Sequence, residues 1–427
     1  MAEEEEGLAA LVRTCCDEPQ QAGARVALKQ LHRQCRASKD LAASVAAVGG
    51  VAAAHRMLSV ADSQEALGLL WSISAIPGTL EHFTPETLAT IVHVGRVSTV
   101  TDGWRQTAAL STLHNLLCYS GYAQVLDAGG LTLAGEVLEA DKRLPPSAQA
   151  SAALFLDQCC FNGRSKLPAV QTLRLPVLVR ILERQPGAGG EDDSSRGAGG
   201  EDVLLGHVLS LLWNASDDVF FSDAGAWADF TTRLCQHSVV RALQGILVHG
   251  APMQQQGAGA ILHNLSSNRA LHPTLLSCGV LRAVLSVAQQ GGEGAICSML
   301  AAAELAGSDD DGASAAALVQ CEVVQCLVRD LHLRSLLAVD RRDSQYVGTR
   351  KLLSALESLA ASSAHMQTIR QSDAVEVLLR VVKGRHADGR GMALALRTLL
   401  HIVLDAAVPK IAFSPPLLAE VARNPTS

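Results

Sequence analysis

Three asparagines combine useful chemistry with repetition. Asn115, Asn214 and Asn264 stand in Thr112-Leu113-His114-Asn115-Leu116-Leu117, Leu211-Leu212-Trp213-Asn214-Ala215-Ser216 and Ile261-Leu262-His263-Asn264-Leu265-Ser266, each at the same place in a shared apolar pattern. A carboxamide donates through its nitrogen and accepts through its oxygen. One such side chain can therefore satisfy both polar groups of a peptide unit, whatever side chains that peptide carries.

Other chemistry is sparse in the sequence. There is no Gly-x-x-x-x-Gly-Lys phosphate loop, no Gly-x-Ser-x-Gly elbow and no His-Glu-x-x-His zinc helix. Gly291-Gly292-Glu293-Gly294 lacks a preceding strand and a following lysine, so it reads as a turn. The cysteines number eleven, with no Cys-x-x-Cys pair and no apolar leader ahead of them, and are expected to be small, reduced, buried thiols. Adjacent Cys159 and Cys160 point about 100° apart on a helix and cannot chelate one metal unaided. His114 and His263 hold equivalent places far apart in the chain and read as helix residues packed between units. The expectation is a protein that is not an enzyme and carries neither cofactor nor metal.

The elements that must position the asparagines also repeat. Taking Asn115 as reference, small or apolar residues are required six, five and two positions before it and one after. Nine segments fit, centred on Arg33, Ser72, Asn115, Gln158, Asn214, Asn264, Glu304, Ser358 and Thr398, spaced 39 to 56 residues apart. A unit near 40 residues with insertions accounts for the spacing. Within a segment the apolar residues form one helical stripe, such as Ala109, Leu110, Leu113 and Leu116, then Val208, Leu209, Leu212 and Ala215, then Leu352, Leu353, Leu356 and Leu359. Gln34 takes the last apolar slot of the first segment, which suits an end cap.

The linking sequence recurs too: Gly130, Gly279 and Asp373 each follow a reference residue by fifteen positions. Val125 to Leu131 predicts a short helix, a left-handed glycine corner and a second helix through Leu138. One unit is then three helices. A unit unable to bury its own apolar face must stack, so the predicted fold class is all-α, an α-solenoid of about nine such units.

Thr107 to Leu138, with Thr-Leu-His-Asn-Leu-Leu followed by Ala-Gly-Gly-Leu, resembles an armadillo repeat of the β-catenin kind, and Gly257 to Leu285 is similar. The resemblance implies a right-handed superhelix whose third helices line a concave groove. It also implies that the repeated asparagine hydrogen-bonds the backbone of a bound peptide there. Asn115, Gln158, Asn214 and Asn264 are the residues to which that role carries over. This chain departs from importin α, where a tryptophan four positions earlier clamps lysine stems. The matching positions here, among them Gly68, Ser111 and Ser210, are not aromatic, while Trp71 and Trp213 sit one position before the ladder and read as packing residues. A receptor for nuclear-localisation signals is therefore not expected.

The array is expected over residues 25–410, after an acidic N-terminal cap region at 1–24 and before a C-terminal tail at 411–427. Glu3 to Glu6 read as frayed and solvated, and the stretches near 186–202 and 307–314, rich in Gly and acid, read as disordered insertions. Charge is uneven. Residues 329–427 carry 14 basic and 9 acidic side chains, against a net charge of −7 for the whole chain. Arg341, Arg342, Arg350 and Lys351 form a candidate patch for an acidic partner.

Nucleic acid is not expected, because the chain is acidic and its basic residues are not interleaved with aromatics. No run of apolar residues is long enough to span a membrane. The sequence therefore predicts a scaffold or adaptor in the cytoplasm or nucleus that binds an extended or helical segment of a partner protein. The alternative is a regulatory armadillo domain that controls an enzyme by binding a metabolite or the catalytic module.

Overall fold

The computed structural model describes residues 2–404 apart from 18, 62–63, 98–102, 141–142, 184–197, 220, 222, 237, 291–294, 308–311, 337–344 and 385–386. Among the described residues there are 25 α-helices and no strand. The fold is an all-α solenoid, and by contacts the chain divides into two compact units, Met1–Phe230 and Thr231–Ser427.

In the first unit each register position has its own helix. Arg33 lies on Ala22–Ala37, Ser72 on Gln64–Ser74, Asn115 on Gly103–Cys118, Gln158 on Pro146–Cys160 and Asn214 on Ala198–Ser216. Each of these packs on the next, and below each is named by its register residue. The predicted stripe is the packed face: Ala109, Leu110, Leu113 and Leu116 are fully buried, and Val208, Leu209, Leu212 and Ala215 nearly so. Each buried leucine contributes roughly 1.5–3 kcal/mol, which weakly amphipathic helices rich in alanine need from their neighbours. The Gln158 helix opens on Pro146, whose missing N–H is not needed in a first turn.

The corner after the Asn115 helix follows from the glycine pair. A short helix, Tyr122–Asp127, ends at Gly129 with φ +91°, and Gly130–Glu139 follows. The left-handed residue is Gly129, one before the glycine that recurs at fifteen positions. Gly130 instead permits close approach, since a Cβ there would lie 3.0 Å from the Phe155 ring and from the Val125 carbonyl oxygen.

The acidic start departs from expectation. Glu3 to Glu6 lie within a helix, Ala2–Asp17, rather than in a frayed end. Leu8, Val12 and Cys15, spaced four and three apart, are buried against the Arg33 helix and the helix Gly50–Ala61. Arg56 Nη1 also donates to the Cys16 carbonyl at 2.6 Å and holds the helix end. This helix covers the side of the first segment that the sequence left as a polar cap.

In the second unit Asn264 lies on Pro252–Ser266, Glu304 on Ala295–Ala306, Ser358 on Gln345–Ala360 and Thr398 on Gly389–Leu404, again packed in succession. Leu352, Leu353, Leu356 and Leu359 are buried. Gly279, with φ +75°, makes the corner before Val280–Gln290. At Asp373 the corner has no left-handed residue, and extended Ser372 joins Ser363–Gln371 to Ala374–Gly384.

Parts of the predicted insertions are helical. Residues 198–202 already belong to the Asn214 helix and Gly312 to Ser314 to the helix Gly312–Gln320, while 187–197, 308–311, the turn at 291–294 and the tail 411–427 lie outside the described residues. Among the described residues no single helix is long and apolar enough to cross a membrane.

Candidate functional site

In the first unit the ladder amides are half engaged. Asn115 Nδ2 donates to Ser74 Oγ at 3.0 Å, and that hydroxyl donates onward to the Trp71 carbonyl at 2.8 Å. Gln158 Nε2 donates to Tyr122 Oη at 3.2 Å, and Asn214 Nδ2 to Asp157 Oδ1 at 2.7 Å. Asn115 and Asn214 thus reach back to the preceding register helix, and Gln158 to the short helix that follows the Asn115 helix. Each amide nitrogen has one N–H engaged within the unit, and among the described residues no donor meets the side-chain oxygens of Asn115, Gln158 or Asn214. Each of these oxygens is oriented by the bond that the nitrogen of the same amide makes.

Asn264 is placed differently. It is only 3% exposed, and its Oδ1 accepts from Lys351 Nζ at 3.0 Å. That bond joins the Asn264 and Ser358 helices across the intervening Glu304 helix. A second link runs parallel, with Arg269 Nη2 3.0 Å from Glu357 Oε2, and Arg397 Nε lies 3.4 Å from the other oxygen of the same carboxylate. Alanines 301 to 303, all fully buried, keep the middle helix slim enough for these reaches. Of the predicted cationic patch, Lys351 is therefore directed at Asn264, Arg350 is half-buried, and Arg341 and Arg342 lie outside the described residues.

Among the described residues each unit holds a carboxylate clasp, which was not foreseen. Asp157 accepts from Ser210 Oγ at 2.8 Å and from Asn214 Nδ2 at 2.7 Å, two side chains one turn apart on the next helix. Glu304 likewise accepts from Ser354 Oγ at 2.6 Å and from Ser358 Oγ. Burial pushes both carboxyls above their ordinary pKa, and the donors only partly offset it. The signal lay in the sequence as serine or asparagine at the register position and four before it. The carboxylate that meets them is on another helix, beyond what spacing can show.

A recess of the first unit lies at its beginning. A cavity of about 540 Å³ is lined by Lys29, His32, Arg33 and Arg36 of the Arg33 helix, Gln64 and Glu65 of the Ser72 helix, and Trp104 of the Asn115 helix. An adjoining one of about 370 Å³ shares His32, Arg36 and Trp104 and adds Trp71, Ser72 and Ala75. Gly68 makes room for it, since a Cβ there would lie 2.4 Å from His32 Cε1, so the imidazole rests directly on the Ser72 helix. Burial, then the Arg36 charge, holds His32 below its usual pKa.

Trp71 corrects the expectation of a packing residue: it is 36% exposed and lines the recess. Trp213 is half-buried. Lys29, Arg33 and Arg36 could have been read as cations at four- and three-residue spacing on one helical face. Trp104 could not, because it stands eleven residues before its register position, on the opening turn of its helix.

All eleven cysteines are free thiols. Five are buried, whereas Cys118 and Cys278 are exposed, so the expected burial holds for only part of the set. Burial pushes Cys160 up to about 12. His263 is buried and His114 half-buried, both on register helices. Among the described residues no cluster of His, Cys, Asp or Glu could hold a metal ion.

No family model matches the chain, and no curated protein matches it. Solved structures do. An engineered protein is similar over 93% of this chain and 98% of its own, at 17% identity and a TM-score of 0.57. A designed armadillo repeat protein in complex with the peptide (KR)4 is 15% identical over 60% of this chain and 99% of its own, with a TM-score of 0.48. The likeness to the engineered protein is one of fold. With the helix, glycine corner and helix that follow the Asn115 helix, this chain has an armadillo-like repeat fold.

Proposed function

We propose that this protein is a non-catalytic scaffold or adaptor that holds an extended or helical segment of another protein against the register helices of its first unit. The observation that carries this reading is the orientation of Asn115, Gln158 and Asn214. Each has its nitrogen fixed by a neighbour, and the three stand on consecutive packed helices with the oxygen still able to accept. Acceptors held in place before a ligand arrives lose little freedom on binding, and helices spaced roughly 8–10 Å apart suit a chain lying across them. In the second unit Lys351 already occupies the Asn264 oxygen, so the proposal rests on the first. Eleven unpaired thiols support work in a reducing compartment, the cytoplasm or nucleus.

The test is partner recovery with Asn115→Ala, Gln158→Ala and Asn214→Ala combined, in a protein whose helicity is checked by circular dichroism. Loss of a partner that the wild type retains supports the reading. Undiminished recovery of every partner rejects it.

A further inference from the structure

We infer that the recess formed by Lys29, Arg33, Arg36, Trp71 and Trp104 is a binding site for an acidic peptide segment, which names the partner chemistry within the scaffold reading and rests on it. Lys29, Arg33 and Arg36 lie at four- and three-residue spacing, about 6 and 4.5 Å apart along the helix axis, so they form one line of positive charge. Among the described residues none of the three makes an ion pair. In a chain of net charge −7, such an unpaired row next to a cavity is unusual. Among the described residues Glu65 is the one carboxylate on the lining, and its charge acts on His32.

The size of the site favours a segment over a small anion. Its walls come from three successive register helices, and the two cavities run on from the cations to both indoles. A single carboxylate or phosphate would engage one or two cations and leave Trp71 and Trp104 untouched. An extended chain carries alternate side chains on one side at roughly 7 Å intervals, close to the rise between Lys29 and Arg33. It can therefore pair carboxylates with the cation row while apolar side chains of the opposite face rest on the tryptophans. The guanidinium groups offer forked donors to each carboxylate. His32, kept neutral by burial and by Arg36, and set against Gly68, is the floor of the site rather than one of its charges.

The probe is a short labelled peptide alternating glutamate with leucine, titrated into the full chain by fluorescence anisotropy with tryptophan emission as a second readout. A lysine-for-glutamate peptide and a single-stranded oligonucleotide serve as comparisons. Binding of the glutamate peptide should weaken roughly tenfold in Arg33→Glu/Arg36→Glu and in the milder Arg33→Gln/Arg36→Gln. Trp104→Ala should weaken it and remove part of the emission change. Arg241→Glu/Arg282→Glu, the same charge change on exposed residues of the second unit, should leave it unaltered.

Equal binding of the lysine peptide would overturn the inference, as would equal weakening by the second-unit pair. Tighter binding of the oligonucleotide through the same arginines would replace it with a nucleic-acid site. If the glutamate peptide fails while partner recovery still depends on Asn115, Gln158 and Asn214, only this inference falls. If both fail, the scaffold reading falls with it.

Discussion

Asn214 donates to Asp157 at 2.7 Å across the boundary between two register helices, so a residue read from the sequence as a ligand contact is first a link between neighbouring repeats. The amide nitrogen ties helix to helix, and among the described residues no donor meets the oxygen.

Asp157 makes the fold sensitive to pH. Burial raises its folded-state pKa above the unfolded value of about 3.9, so the folded state holds the proton more tightly. The stability it contributes is complete below the unfolded pKa and is lost as pH rises through the raised folded one. Asp157→Asn removes that loss while keeping an acceptor for Ser210. Thermal midpoints of wild type and variant should differ least at the acid end, with the variant gaining over the wild type as pH rises. Parallel profiles would show that Asp157 does not titrate differently in the fold.

Glu304 separates the worth of the clasp from the cost of its charge. Glu304→Ala leaves the Ser354 and Ser358 hydroxyls without their acceptor and opens a cavity, costing about 2–4 kcal/mol. Glu304→Gln keeps one acceptor, lets its Nε2 donate to the other serine hydroxyl and removes the buried charge, so its urea midpoint at neutral pH should equal or exceed that of the wild type. An alanine variant no weaker than the glutamine one would refute the clasp.

The Lys351 to Asn264 bond predicts coupling between helices that are not sequence neighbours. Lys351→Ala should cost about 1 kcal/mol after allowing for its partial exposure. Native-state hydrogen exchange should quicken in both Pro252–Ser266 and Gln345–Ala360 together. Faster exchange in the second helix alone would mean that the bond does not hold them.

Gly68→Ala tests the floor of the cationic recess. The added Cβ meets the His32 ring, which must swing out into the cavity. The expected outcome is a shift in the His32 imidazole resonances with little change in overall helicity, alongside weaker binding of the glutamate peptide. An unmoved imidazole resonance would show that the ring does not rest there.

Much of the fold was legible because a solenoid repeats its instructions. The stripe Ala109, Leu110, Leu113 and Leu116 marked a buried face by spacing alone, and the glycine pair at 129–130 marked a corner. The N-terminal helix was missed because a run of glutamates outweighed the quieter pattern of Leu8, Val12 and Cys15. The site was less legible. An asparagine's place in a repeat can be read from one chain, but which half of its amide is occupied depends on Ser74 or Asp157, residues 41 and 57 positions away. The recess shows the same limit, since Trp104 and Arg36 line one cavity only because three helices stack, and no local pattern encodes that.

The central claim, that the register helices of the first unit hold a partner segment, is tested most directly by placing a photo-cross-linking residue in turn at Ser72, Asn115 and Gln158, with Arg241 as control. Cross-links mapped by mass spectrometry should fall in order along one continuous stretch of a single partner, and the Arg241 position should give none. Cross-links scattered over unrelated stretches, or formed as readily from position 241, would contradict it.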